Sequence, residues 1–148
     1  MIKSLGGALQ SVLPFLPSIV PLTPGDWAVT YATQTGVMIT DGLMADIEIT
    51  LTFTPTFTTA ATGALRILGH PIPFASAAAD INVTNHTANI TYPSAGTYLV
   101  GRITTDLSAI NIAGLKTAGT PGLVMPAQLV SGAVHRFDLA GRVRIGPA

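Results

Sequence analysis

The chain has 148 residues, seven Lys+Arg against seven Asp+Glu, and no cysteine. That excludes disulfides, thiolate metal sites and a cysteine nucleophile, and a net charge of zero argues against nucleic acid as a partner, because phosphate neutralisation needs a basic surplus. Only 9% of residues are charged, against roughly 25% in ordinary soluble domains, so the polar surface must come from Thr, Ser, Asn and Gln. A neutral polar surface suits lasting contact with other protein, where charges cost desolvation. We therefore expect a subunit of an assembly; a Thr-rich extracellular β-protein is the plainer reading.

Residues 1–24 are apolar and rich in proline, with Pro14, Pro17, Pro21 and Pro24. The prolines rule out a long helix from Pro14 to Pro24, while residues 2–13 have room for a short one. Gly6, Gly7, Gln10, Pro14 and Pro17 interrupt the apolar run, and no clean small-residue cleavage site follows, so a signal peptide is not expected. No run of 18 apolar residues exists, so no membrane span is expected. We read residues 1–24 as an arm and residues 25–148 as the domain. The arm packs either on a neighbouring subunit or back on its own domain.

From Trp27 the pattern becomes strand. AVTYATQTG carries Val29 and Tyr31 and closes at Gly36. MADIEITLTFT alternates: Ala45, Ile47, Ile49, Leu51 and Phe53 on one face, Asp46, Glu48, Thr50, Thr52 and Thr54 on the other. Period two over such a length marks a half-buried strand, which Pro55 should end or bend. ALRIL (64–68) is a short strand, and Gly69, Pro71 and Pro73 put His70 in a turn beyond Arg66. DINVTNHTANITY (80–92) alternates again. Its Asn82, Asn85 and Asn89 are formal glycosylation sequons, better explained as a Thr-rich strand with Asn turns.

PSAG (93–96) reads as a turn, and 97–112 as one strand or two joined by a bend at Thr105–Asp106. GLKTAGTPG (114–122) reads as a loop, and 123–130 as a strand interrupted at Pro126. HRFDLAGRVRI closes the chain: Phe137, Leu139, Gly141, Val143 and Ile145 face one way, Arg136, Asp138, Ala140, Arg142 and Arg144 the other. Seven or eight strands with almost no amphipathic helix predict an all-β fold, a jelly-roll-like antiparallel β-sandwich with a short N-terminal arm.

Chemistry-bearing patterns are sparse. No nucleophile elbow, paired zinc histidines, phosphate loop or dinucleotide fingerprint occurs, and His70, His86 and His135 lie far apart. No cofactor and no metal are expected. Asp46 and Glu48 are neighbours on one strand face, whereas glycosidase carboxylates flank their substrate from separate elements. Arg136, Arg142 and Arg144 form a basic ladder, best read as pairing with Asp46 and Glu48 across strands or across subunits. Trp27, Tyr31, Tyr92 and Tyr98 are read as packing rather than a sugar-stacking surface.

Three stretches resemble a β-sandwich domain of tailed-bacteriophage virion proteins: TPGDWAVTYATQTG (23–36), FTPTFTTAATGALRILGHPIPFAS (53–76) and FDLAGRVRIG (137–146). The resemblance spans most of residues 23–146. It departs at GVMITDG (36–42), with Met38 for an aromatic, and at LGHPIPF, where the usual form is nearer GLPF. It implies a non-enzymatic virion protein, typically homotrimeric. The short stretch before Trp27 looks more like a capsid decoration (cement) protein on the shell than a fibre tip. The expected partner is then the major capsid protein, docked by Leu13, Phe15, Leu16, Ile19 and Val20. The alternative is a tail-fibre tip that holds a host surface glycan through Tyr31, Tyr92, Tyr98 and the arginine ladder.

Overall fold

The computed structural model describes residues 2–5, 8–77, 79–92, 98–115 and 122–145; the PSAG turn and most of the 114–122 loop lie outside them. The protein is all-β and antiparallel, a strongly curled half-barrel sheet. Its strands are β1 (Ile2–Leu5), β2 (Ala8–Phe15), β3 (Ser18–Thr23), β4 (Ala28–Thr40), β5 (Met44–Thr56), β6 (Thr62–Leu68), β7 (Asp80–His86), β8 (Tyr98–Arg102), β9 (Ile110–Leu115), β10 (Gly122–Leu123) and β11 (His135–Arg144). Ten lie in the order β1-β2-β4-β5-β11-β7-β8-β9-β6-β3, and β10 pairs with β9 off this path.

The long alternating strands form the middle. β5 and β11 pair without a slip from His135↔Phe53 to Arg144↔Met44. On β5, Ala45, Ile47, Ile49, Leu51 and Phe53 are buried, and on β11 Phe137, Leu139 and Val143 join them, with Phe53 stacked on Phe137 at 5.8 Å. Across the curl, Ile19, Leu65, Ile67, Ile110 and Ile112 fill the same core. Each fully buried aliphatic or Phe side chain contributes about 1.5–3 kcal/mol relative to exposure.

Several sequence expectations need correction. The described residues of 2–13 are strand and not helix, β1 and then β2. Residues 18–23 are β3, paired with β6, so the segment read as an arm contributes three strands. Pro55 does not end its strand but sits buried within β5 opposite Val29. Residues 87–92 leave the sheet after β7: Thr87 N–H donates to Arg136 O and Thr91 N–H to Gln128 O, contacts of a loop laid on its neighbours. Of the two readings of 97–112, the two-strand one holds from Tyr98 on: β8 and β9 are joined through 103–109, with a bend at Thr105. Pro126 opens a short 3-10 turn to Gln128.

Residues 8–23 tie the two halves of the curl together. β2 pairs with β4, and β3, two residues later, pairs with β6 at the far end of the sheet. The corner between them is tight. Gly69, at φ +109°, lies so close to the Leu16 carbonyl that a Cβ there would meet the oxygen at 2.5 Å. Prolines 14, 17 and 21 fall in this stretch, which runs along sheet edges, where a missing donor costs least.

A β-bulge in β4 completes the closure. Tyr31 faces Phe53, but the next paired residue is Thr33, opposite Thr52. The extra residue, Ala32, shifts the face, so Tyr31 and Gln34 both point inward although they are three apart. They reach β3 and the residue before it: the Tyr31 hydroxyl accepts the Ile19 N–H at 2.9 Å, and Gln34 Nε2 donates to Pro17 O at 2.8 Å. Trp27 Nε1 donates to Ile19 O at 3.2 Å. Side chains thus satisfy the open edge of β3.

Candidate functional site

Three surface regions carry the chemistry-bearing residues. The first is the outer face of β4, β5 and β11. Register puts Asp46 opposite Arg142 and Glu48 opposite Ala140. Arg142 reaches Asp46 at 3.1 Å and Asp41 at 3.1 Å, while Arg136 pairs with Asp138 on its own strand at 2.9 Å. Of the expected cross-strand ladder, Arg142 meets Asp46, while Arg136 turns along its own strand. Arg144, opposite Met44, is exposed. Glu48 has no ion pair among the described residues. It borders a shallow hollow of about 140 Å³ with Thr35, Val37 and Thr50.

Around these charges the face is threonine. Thr35 lies opposite Thr50, Thr33 opposite Thr52 and Thr30 opposite Thr54. β-branched Thr suits a pleated surface, and its hydroxyl keeps the face wet without charge. Asp41 anchors the β4–β5 turn. Its carboxylate accepts the Met44 N–H at 2.8 Å and the Leu43 N–H at 3.2 Å, and these bonds hold its pKa below the usual carboxylate value, with Arg142 helping.

The second region is the N-terminal stretch. Of the residues expected to dock, Ile19 is 1% exposed and belongs to the core. Leu13 and Phe15 are half-buried against that core, with the Phe15 ring seated where a Cβ on Gly36 would be. Val20 is half-buried opposite Arg66. Leu16, 70% exposed, points to solvent, and so does Leu22, which sequence reasoning did not single out. Burial alternation in β3 separates Ile19 from its half-buried neighbours Ser18 and Val20, a distinction that needs the strand assignment first.

Before β3 stands a two-stranded hairpin. β1 pairs only with β2, from Ile2↔Ser11 to Leu5↔Ala8. β2 meets β4 only from Ser11↔Thr40 onward. Thr40 is the last residue of β4, so Ala8–Gln10 run past the end of the neighbouring strand with β1 as their only strand partner among the described residues.

The aromatic residues and histidines are mostly engaged internally. Besides Tyr31, the Tyr92 hydroxyl lies 3.0 Å from His86 Nε2; Tyr98 is 51% exposed. His135 is fully buried against Phe53, and burial pushes its imidazole below the ordinary value, opposed by its hydrogen bond with Val130. His70 stacks on Phe74 at 4.3 Å, with Nδ1 2.8 Å from Ile72 O. Burial lowers its pKa too, partly countered by the Ile72 carbonyl and by the charge of Asp106. The same Asp106 pairs with Arg66, so Arg66 and His70 share a neighbour without touching each other in any described bond.

The third region is a cavity of about 370 Å³ over the outer face of β6 and β9. Arg66, Asn111 and Asp106 stand at its polar side, and Leu22, Ala64 and Leu123 form apolar walls. The sequence showed Arg66 as an isolated charge; the loop that brings Asp106 to it follows β8, forty residues on.

Among the described residues, no group of three His, Asp or Glu side chains is placed to hold a metal ion. Among the described residues no helix is long and apolar enough to cross a membrane. No protein-family model, curated protein or solved structure matches this chain.

Proposed function

We propose that this chain is a non-enzymatic structural subunit of a tailed-phage virion: a capsid decoration protein that, as a homotrimer on the outside of the shell, staples neighbouring major capsid subunits. The observation that carries this reading is the β1–β2 hairpin. Two strands alone are marginal in water, and the outer edge of β1 meets no strand among the described residues, leaving a row of backbone donors and acceptors for a partner. Such an element gains its stability by docking on another protein surface. Three hairpins on one trimer would engage together, so modest contacts add to a long-lived hold.

Two further features support the reading. The outer face of β4 and β5 is neutral and threonine-rich, so covering it desolvates few charges. Leu16 and Leu22, exposed at 70% and 58%, extend the apolar contact beside β3. We read the curled sheet as a jelly-roll-like sandwich, because side chains from both halves meet in one core and residues 8–23 cross from one half to the other. The resemblance of 23–36, 53–76 and 137–146 to phage virion β-domains supplies the virion setting.

The test is deletion of residues 1–9 with the full chain as control. Occupancy on decoration-free phage shells should fall by at least about tenfold, the scale of losing a multivalent arm, while the body keeps its far-UV spectrum. Undiminished occupancy would overturn the proposal. Glycan-array binding by the full chain, without shell binding, would instead favour the tail-tip reading, for which Tyr98 is the best exposed aromatic.

A further inference from the structure

We infer that the cavity beside Arg66 is a binding site for a small organic carboxylate, with the guanidinium as its anion partner. The inference stands apart from the assembly reading.

Two arginines of one row make the case. Asp80, Arg102, Asn111, Arg66 and Val20 lie opposite one another in turn across β7, β8, β9, β6 and β3. Arg102 is closed by a fork to Asp80, Nε at 2.8 Å and Nη2 at 2.9 Å. Arg66 is not closed. Its one described bond is Nη1 to Asp106 Oδ2 at 3.4 Å, and its Nε is buried without an acceptor among the described residues. A buried donor without an acceptor costs free energy, and two residues away on the same row the fold supplies one in full. The buried Nε is itself closed to a ligand, so what Arg66 offers the cavity is the outer end of its guanidinium, which among the described residues only Asp106 holds, through Nη1.

The surroundings are fixed in advance. Asp106 is held by its own turn, Oδ1 accepting the Ser108 N–H at 3.1 Å, and not mainly by Arg66. Asn111 is 5% exposed, its amide pinned to Thr104 Oγ1 at 2.8 Å. The cavity volume of about 370 Å³ falls in the range of roughly 300–1,000 Å³ usual for small-molecule sites. Leu22 and Leu123 offer apolar area to a ligand's hydrocarbon part.

A carboxylate matches this set. It brings two oxygens to a planar donor fork. The negative Asp106 beside the fork disfavours a dianion such as phosphate and accepts a ligand hydroxyl or ammonium. The same carboxylate chemistry occurs in a free aliphatic acid and in a sugar acid, so the probes separate them.

The experiment follows the Arg Nε–Hε resonances of the full chain while acetate, butanoate, D-glucuronate or inorganic phosphate is added. The Arg66 signal should shift with butanoate or glucuronate more strongly than with phosphate, and the Arg102 signal should stay put. Tighter binding of glucuronate assigns the site to a sugar acid, and tighter binding of butanoate to an aliphatic acid. Arg66→Lys should weaken the preferred acid about tenfold, since the point charge loses the fork. Leu22→Ala, at an exposed position that leaves the fold intact, should erase any preference for butanoate over acetate. An unmoved Arg66 signal with both acids, or phosphate binding as well as they do, would overturn the inference.

Discussion

At one end of the sheet β3 runs beside no further strand among the described residues, yet Tyr31, Gln34 and Trp27 occupy its open edge with hydrogen bonds to Ile19 and Pro17. At the other end β1 lies beside β2 alone, and its outer edge meets no strand among the described residues. Both ends are built from one short apolar, proline-bearing stretch. The difference is tertiary: β3 is folded over a core that positions side chains against it, and the hairpin has run past the end of β4. A sheet edge can be closed by side chains from within or left for a partner, and this chain does each once.

The comparison can be broken most forcefully at Ile19. Ile19→Ala, which empties a site 1% exposed, should cost about 2–5 kcal/mol in urea unfolding, whereas Leu16→Ala, three residues earlier and exposed, should stay within about 0.5 kcal/mol. Equal effects would mean that β3 does not form part of the core.

Tyr31→Phe isolates the seam itself. It removes the acceptor of the Ile19 N–H and keeps the ring, so a loss of about 1–3 kcal/mol is expected, together with faster hydrogen exchange at Ile19. Exchange unchanged at Ile19 would show the edge sealed by other means.

Acid should act on the sealed body and spare the hairpin. His70 and His135 have pKa values lowered by burial from 6.5. Above pH 6.5 these histidines are neutral in both folded and unfolded chains. Below it the unfolded chain binds protons that the folded one refuses, so stability falls as pH falls toward the folded pKa values. Asp26, lowered from 3.8 chiefly by its hydrogen bonds to Thr58 and Ala61, and Asp41, lowered by the Met44 and Leu43 N–H groups of its turn, add a second loss below that pH. Denaturation midpoints from pH 8 to pH 3 should decline in these two stages, and His135→Gln should flatten the first.

The smallest effect belongs to the outer charges. Arg142→Ala removes contacts to Asp41 and Asp46 whose side chains are 32% and 52% exposed, so it should cost at most about 1 kcal/mol, less in high salt. A larger, salt-insensitive loss would mean that this face is covered.

Legibility followed the local signal. β5 and β11 were readable because each alternates long enough for one face to be the core face; burial follows the alternation along β5, and along β11 except at half-buried Gly141. Residues 87–92 alternate too, but too briefly, and the sheet had no open position for them beside β7. The first two dozen residues misled because apolar residues between prolines carry no period; what made them strands was an edge on which to pair. The candidate sites divide in the same way. Two alternations suggested a basic ladder of Arg136, Arg142 and Arg144 beside Asp46 and Glu48, but the specific pair Arg142–Asp46 came from the register. Arg66 beside Asp106 was not suggested at all, because a loop forty residues distant supplies the carboxylate.

By itself the sequence determined the class of fold, the two central strands and which of their faces is buried, because side-chain direction in a strand depends on parity alone. Only the tertiary structure decided the order of the strands, the bulge at Ala32 that turns Tyr31 and Gln34 to the same side, the sealed and open edges, and the half-paired arginine in its cavity. Each of these depends on which distant segments meet, and a period of two carries no information about partners.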